Sequence, residues 1–480
     1  MGKYVAWVLL WVSGGLMAGV NLPPAVDYSQ WRTTAPVSLR QPAMAAAVTD
    51  PGTGYRVWRL GGSEAEMHRA LPYPDGEGAL TPQHRQHFYS RIVATNKDET
   101  HIIGSAGHKG GYAALWRMAD KKLVKWVPTG KKNSVDGALD HFAVRGLLWD
   151  QHHSHVYWYT DANRLLRASI NFANYQVSTE VWDTFPAYDY ITIGLGEGEF
   201  SDDGSKLVLV GSQRTSAASP ETIIAYDVSR KRSVGTRTIP PYEDTSLNWA
   251  GVDPTGQYLI FDQPTDLREH GGIWTWVVPW DNINATSRLV YTHKKHSDFV
   301  VDKAGIPWLV YGNYQGVFAA RLDQTFIKRV WPVSDTSPAN APGNAAYADH
   351  PFENGNGHIS RVAGLPGTVL LGFNQHGGFY YVNIDEPGKT RHLGNARNGG
   401  VDAHGETVGD GRYLREPRAS AANSGRYILF VTDYRYDGSV YDPATDGPYE
   451  NKSYLNLIDL GDVAADRVKR FARGQQTRLY

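Results

Sequence analysis

The sequence predicts an all-β fold, a seven-bladed β-propeller, and three observations carry that expectation. The first is composition: 15 Trp, 28 Tyr and 14 Phe stand beside 50 Gly in 480 residues, a mixture of strand formers and turn formers. The second is recurrence. A polar turn built from Asp, Asn, Pro and Gly returns seven times at intervals of roughly 50–60 residues, enough chain for one four-stranded blade. The third is that the segments after each turn match from unit to unit. Two stacked β-sandwiches would not produce one uniform repeat over so long a stretch.

The turns are Asn96-Lys97-Asp98, Asp150-Gln151-His152, Asp202-Asp203-Gly204, Asp253 to Gly256, Asp302 to Gly305, Leu365-Pro366-Gly367 and Asn423-Ser424-Gly425. These residue types supply the side-chain acceptors and the positive φ that tight turns need. An apolar strand follows each turn, beginning near His101, His155, Lys206, Tyr258, Pro307, Thr368 and Tyr427. A third strand follows after a loop, near Ala114, Arg164, Thr222, Ile273, Val317, Phe379 and Tyr454. Ahead of the units, the alternating stretch 54–61 reads as a strand that completes the last blade and closes the ring. Residues 62–84, with Pro72, Pro74 and Gly76, read as a loop.

The N-terminus has the pattern of a secretory signal over residues 1–19: Lys3, an apolar run from Tyr4 to Val12, then small residues. Residues 20–53, rich in Pro, Ala, Thr and Ser, read as a lead-in segment, and 54–480 as a single propeller domain. The apolar run is too short for a comfortable membrane span. The expectation is an exported monomer, extracellular or periplasmic, with no membrane partner. Net charge is −1, without the basic footprint of a nucleic-acid binder. There is no cysteine, which removes disulfides, thiolate metal ligands and a thiol nucleophile.

In a propeller the start of each inner strand and the loop after the second strand open on the same face, near the axis. Inner-strand starts carry His87, His141, Tyr188 and Tyr190, Asn248 and Trp249, His296 and Asp298, His358, and Arg415 with Glu416, unit by unit. The loops after strand two carry His108, Tyr159 with Asp161, Gln213 with Arg214, Asp262, Asn313 with Tyr314, Asn374 with His376, and Asp433 with Arg435. Only 17 residues are histidine, yet four of the seven inner-strand starts carry one. A lone histidine is more often structural, whereas a ring of them at equivalent positions points to a site.

Other patterns are weaker. Gly194-Leu-Gly196-Glu-Gly198 lacks the dinucleotide spacing and reads as strand, so no organic cofactor is expected. Asp433 to Gly438 and Asp442 to Gly447 lack EF-hand ligand spacing. Gln151-His152-His153-Ser154-His155 falls on the opposite face, where solvated turn histidines are expected.

The Gln86-His-Phe-Tyr-Ser90 start to the first blade, His108 21 residues after His87, and Tyr and Arg in nearby blades resemble the propeller polysaccharide lyases, in particular the ulvan lyases. Oligogalacturonate lyases share the propeller and use a histidine-bound metal. The resemblance implies β-elimination at a 4-linked uronate in an anionic, sulfated algal polysaccharide. In that chemistry a cation neutralises the uronate carboxylate, a base takes the C5 proton and an acid protonates O4. It implies paired catalytic histidines at His87 and His108, a neutralising arginine at Arg214 with Arg164 as its rival, and a catalytic tyrosine at Tyr190 or Tyr188. Lys109 and Arg164, with Arg435, would meet sulfate. His141, Tyr159 and Trp249 are further substrate-binding candidates. It also implies one divalent ion, Zn or another, of structural role, for which His296, His358 and His404 are the candidate ligands. The other readings are a metal-dependent oligouronate lyase and a carbohydrate-binding propeller without catalysis.

Overall fold

The computed structural model describes residues 41–74, 91–104, 111–130, 147–213, 220–240, 247–264, 273–294, 296–313, 316–331, 358–372, 378–387, 390–395, 418–432 and 454–463. Those residues form seven antiparallel sheets in a ring, a seven-bladed β-propeller. Blade two, for example, runs outward as Leu148–Trp149, Val156–Asp161, Arg164–Asn171 and Gln176–Thr184. Blades three to six repeat the plan with inner strands Tyr190–Ile193, Trp249–Val252, Ser297–Val301 and His358–Arg361. In blade one the strands His101–Gly104, Tyr112–Arg117 and Lys122–Pro128 pair. The inner position is taken by the chain before them, through a Thr95↔Ile102 bridge and an Ile103 amide donating to the Ala94 carbonyl at 3.0 Å.

In blades one to five the turn between first and second strand is organised by its acidic or amide residue, whereas the blade-six turn Leu365-Pro366-Gly367 has none and is closed by the Leu365 amide donating to the Val362 carbonyl at 3.0 Å. Asp253 Oδ2 accepts from the Thr255 amide at 2.8 Å and Oδ1 from the Tyr258 amide at 2.6 Å. Asp302 accepts from the Ala304 and Ile306 amides at 2.9 Å and from Trp308 Nε1 at 2.9 Å. Asp150 repeats this with Trp158 Nε1 at 2.8 Å. Gly256 (φ 71°) and Gly305 (φ 80°) occupy the left-handed position that the turn demands. In those blades the recurrent sequence signal is a hydrogen-bonding requirement.

The core lies between neighbouring blades. Trp249, Ile260, Phe299, Leu309, Tyr311 and Phe318 pack blade four on blade five, all nearly fully buried. Each large side chain removed from water contributes roughly 1.5–3 kcal/mol before ordering costs. Buried indoles add directed ties across the seams: Trp149 Nε1 donates to the Ala94 carbonyl at 2.9 Å and Trp249 Nε1 to the Glu197 carbonyl at 2.9 Å.

Ring closure follows the expected route. Tyr55–Arg59 pairs with Tyr454–Val463 on the outside of blade seven, whose inner strands are Ser420–Ala421 and Tyr427–Thr432. Two expectations fail nearby. Ala47–Thr49, assigned to the lead-in segment, adds a fifth strand through Val48↔Val57. Residues 62–84 are not all loop: Glu64–Ala70 is a helix, with Ser63 and Glu66 forming a reciprocal capping box. Its Met67 is buried beside Leu60, Tyr73 and Trp126. The Gly194–Gly196 segment is also not strand but a single 3-10 turn with Gly194 and Leu195 at positive φ. The signal segment and most of the lead-in lie outside the described residues. Among the described residues no helix is long and apolar enough to cross a membrane.

His101, at the start of the second strand of blade one, stacks on Phe172 of blade two with centroids 3.8 Å apart. Burial, and secondarily the Arg117 charge, lower its pKa from 6.5 to about 4. The folded state thus binds the proton less readily than the unfolded state. His101 contributes stability above about pH 6.5 that is lost as pH falls toward 4. Urea unfolding of a His101→Gln variant is expected to show a shallower loss of stability between pH 6.5 and 4.5 than the parent. Parallel pH profiles would remove His101 from that role.

Candidate active site

The site is built from the heads of the inner strands. His296 immediately precedes the inner strand of blade five, and His358 opens that of blade six. The chain brings the two rings face to face, with centroids 4.0 Å apart and planes inclined by 27°. His358 is fully buried and His296 half-buried. The His296 carbonyl accepts from the Gly312 amide at 2.9 Å, and His358 sits in register with Gly372. Both histidines are thereby fixed to the second strands of their own blades.

Below the pair, charged side chains fill the channel. Arg91 of blade one is 3% exposed. Its Nε donates to the Ser297 carbonyl, its Nη2 to Ser297 Oγ at 2.8 Å, and its Nη1 to Glu197 Oε2 at 3.0 Å. The guanidinium lies 3.8 Å above the Trp249 ring. Arg361 reaches from blade six to Asp202 of blade three in a bidentate pair at 2.7 and 2.6 Å. Asp298 accepts from the Phe299 amide at 2.7 Å and from the Arg361 amide at 2.6 Å.

Two carboxylates here hold their protons unusually tightly. Burial pushes Asp298 up to about 7, against the opposing pull of Arg91. Burial, then the Asp298 charge, pushes Glu199 well above the ordinary carboxylate range. Glu199 Oε1 has no hydrogen-bond partner among the described residues. For Arg361, burial opposes the charge, but Asp202, Glu199 and Asp298 together raise its pKa. At the far end of the channel Glu199 lines a shallow cleft with Thr95, Lys97, Asp150, Gln151 and Asn423, on the turn face and away from the imidazoles. The 151–155 histidines lie on that turn face and are exposed, as expected, with His153 Nδ1 3.0 Å from Asp150 Oδ1 and His152 Nε2 2.6 Å from the Asp203 carbonyl.

The other predicted site residues divide clearly. Tyr188 and Tyr190 stand at the head of blade three, both half-buried, with the Tyr188 ring against the backbone of Gly211 and Tyr190 in register with Ser212. Arg164 pairs with Asp161 across a tight hairpin, its side chain 43% exposed at the same end. Tyr159 is a correction. It lies within the second strand rather than in the loop after it, 6% exposed in the core and stacked on Tyr157. Trp249 is another. At 1% exposed it supports Arg91 and is not a sugar platform. Asp262 is likewise interior, accepting from Thr275 Oγ1 at 2.8 Å. Both aromatics alternate into a blade seam, which strand periodicity places inward. His87, His108, Lys109, His141, Arg214 and His404 lie outside the described residues.

Arg91, Glu197, Glu199 and Arg361 were not singled out by the sequence. A signal existed for the glutamates, since two acids in a Gly-rich inner segment sit poorly in an apolar seam. For the arginines there was none, because their partners are 106 to 206 residues distant.

The two imidazoles meet ring on ring, with centroids 4.0 Å apart. Among the described residues no group of three or more His, Asp or Glu is arranged to hold a metal.

The ring and its charged channel define the chain as a seven-bladed β-propeller with a polar site at one mouth. No family model and no curated protein matches it. Among solved structures it is similar to an oligogalacturonate lyase from Vibrio parahaemolyticus, at 14% identity and a TM-score of 0.50, covering 86% of this chain and 96% of that one. It is also similar to U3-55K, at 10% identity and a TM-score of 0.42, covering 78% and 95%. Hydrazine synthase from Kuenenia stuttgartiensis matches at 11% identity and a TM-score of 0.40, covering 75% and 96%. At these identities the likeness is one of fold: one of the three neighbours is a lyase by name and the others are not.

Proposed function

We propose that the protein is a secreted polysaccharide lyase that cleaves a 4-linked uronate polymer by β-elimination, with a sulfated, ulvan-type chain as its substrate. The observation that supports this reading is the head of blade three, where the Ile191 amide donates to the Ala162 carbonyl and seats Tyr188 and Tyr190 next to the Asp161–Arg164 hairpin. The stacked His296–His358 pair heads blades five and six at the same end. In the reaction the C5–H and C4–O bonds break, the C4=C5 bond forms, and the departing O4 takes a proton. The C5 proton becomes acidic only when positive charge offsets the neighbouring carboxylate. Under this reading His87 and His108 handle the protons with Tyr190 or Tyr188, and Arg214 or Arg164 meets the carboxylate. Lys109 and His141 contact the polymer, and the protein acts as a monomer.

The imidazole pair favours a second reading, a metal-dependent oligogalacturonate-type lyase. In it His296 and His358, with His404, would hold a divalent ion, such as Zn, that supplies the neutralising charge. The test is direct. The purified protein is incubated with ulvan, pectate and alginate, and the ultraviolet absorbance of the unsaturated uronate is followed with and without chelator. A rise on ulvan is expected. Activity on pectate that the chelator abolishes would move the assignment to the metal-dependent lyase. No rise on any of the three would leave only a binding propeller.

A further inference from the structure

The inner strands of a propeller do not pair with one another as a sheet, so side chains help set their spacing at the axis beside backbone ties such as the Gly367 amide to the Val301 carbonyl at 2.7 Å. Here four side-chain ties form a closed circuit. Asp298 of blade five accepts from the Arg361 amide of blade six at 2.6 Å. Ser360 Oγ of blade six accepts from the Ala421 amide of blade seven at 3.0 Å. Ser420 Oγ of blade seven donates to the Ile92 carbonyl of blade one at 2.7 Å. Arg91 of blade one then crosses the channel to Ser297 of blade five, gripping its carbonyl and its hydroxyl. All four tying side chains are buried. The circuit meets the imidazole pair where it passes through blades five and six. Ser297 and Asp298 are the next two residues after His296, and Arg361 closes the four-residue strand that His358 opens.

The geometry points to Asp298 and Arg91 as positioning residues of the imidazole pair. Asp298 ties the inner strand of blade five to that of blade six, Arg91 anchors blade five to blade one across the channel, and together they set the separation of His296 and His358. This deepens the role given to that pair above, but its test does not depend on activity. Asparagine at 298 keeps the shape, yet its amide can accept from only one of the two backbone N–H groups and turns a donor toward the other. Arg91→Lys keeps the charge beside Glu197 and gives up the two-point grip on Ser297. Asp302→Asn is the control, because it loosens a blade-five turn by the same chemistry without touching the circuit.

The readout is the ring-proton NMR shift of His296 and His358, which stacking at 4.0 Å moves upfield. Asp298→Asn and Arg91→Lys are expected to lose at least about half of that upfield shift, whereas Asp302→Asn keeps it. Where the parent eliminates a uronate polymer, kcat should fall by about 100-fold in Asp298→Asn with KM little changed, the scale of a misplacement of about 1 Å. Parent-like ring shifts in both Asp298→Asn and Arg91→Lys, or an equal loss in Asp302→Asn, would overturn the inference. Lost stacking in a protein that cleaves no uronate polymer would uphold it and overturn the lyase reading instead.

Discussion

Under the metal-dependent reading, in which His296 and His358 would hold the ion that offsets the uronate carboxylate, replacing His296 by alanine is expected to lower uronate elimination by about 10²–10³-fold, with folding preserved. The magnitude follows from the chemistry at C5. Removing one group that stabilises developing negative charge costs roughly 2.7–4 kcal/mol of transition-state stabilisation. His296 suits the experiment because it is half-buried and lies just outside the blade-five strand, so truncation leaves little cavity. His358, fully buried, is its partner in a double-mutant cycle. If the stacked rings act as one unit, the double variant loses hardly more than either single variant. Initial rates at saturating polymer, with circular dichroism as a check on folding, decide the matter. Turnover near the parental level in His296→Ala would remove the pair from the reaction.

The second large effect concerns stability. Arg91→Met should lower the free energy of unfolding by about 3–5 kcal/mol, the usual cost of breaking a buried pair by removing one partner. Both partners are well enclosed, with side chains 3% and 12% exposed for Arg91 and Glu197. Methionine retains much of the packing over Trp249 while deleting the hydrogen bonds to Ser297 and the charge that faces Glu197. Arg91→Lys should cost less, because a charge remains. Equilibrium denaturation with both variants tests the ordering, and equal stability of the methionine variant and the parent would show that the crossing arginine is dispensable.

Much of the scaffold is legible in the sequence. The turn acids Asp150, Asp253 and Asp302 each organise a local hydrogen-bond set within eight residues, so their recurrence marked the blades. The closing strand at 54–61 showed itself through alternation and through its place outside the repeat. Ala47–Thr49 was missed because three residues carry no period, and the helix at Glu64–Ala70 because the prolines downstream outweighed its capping box. At the site, His296 and His358 were found from equivalent positions in successive blades. Tyr159 and Trp249 were misassigned for a related reason. Sequence position says where a strand begins, but not which face of the blade a given side chain takes.

The sequence by itself determined what is local and repeated: strand periods, turn chemistry, blade number and which residues head the inner strands. These are short-range properties, carried by a few neighbouring residues and restated seven times. The tertiary structure alone decided what crosses the axis. Arg91 meets Ser297 and Glu197, Arg361 meets Asp202, and burial raises Asp298 and Glu199. Such contacts join residues more than a hundred positions apart, and their energies depend on the exclusion of water from a channel that exists only once the ring has closed.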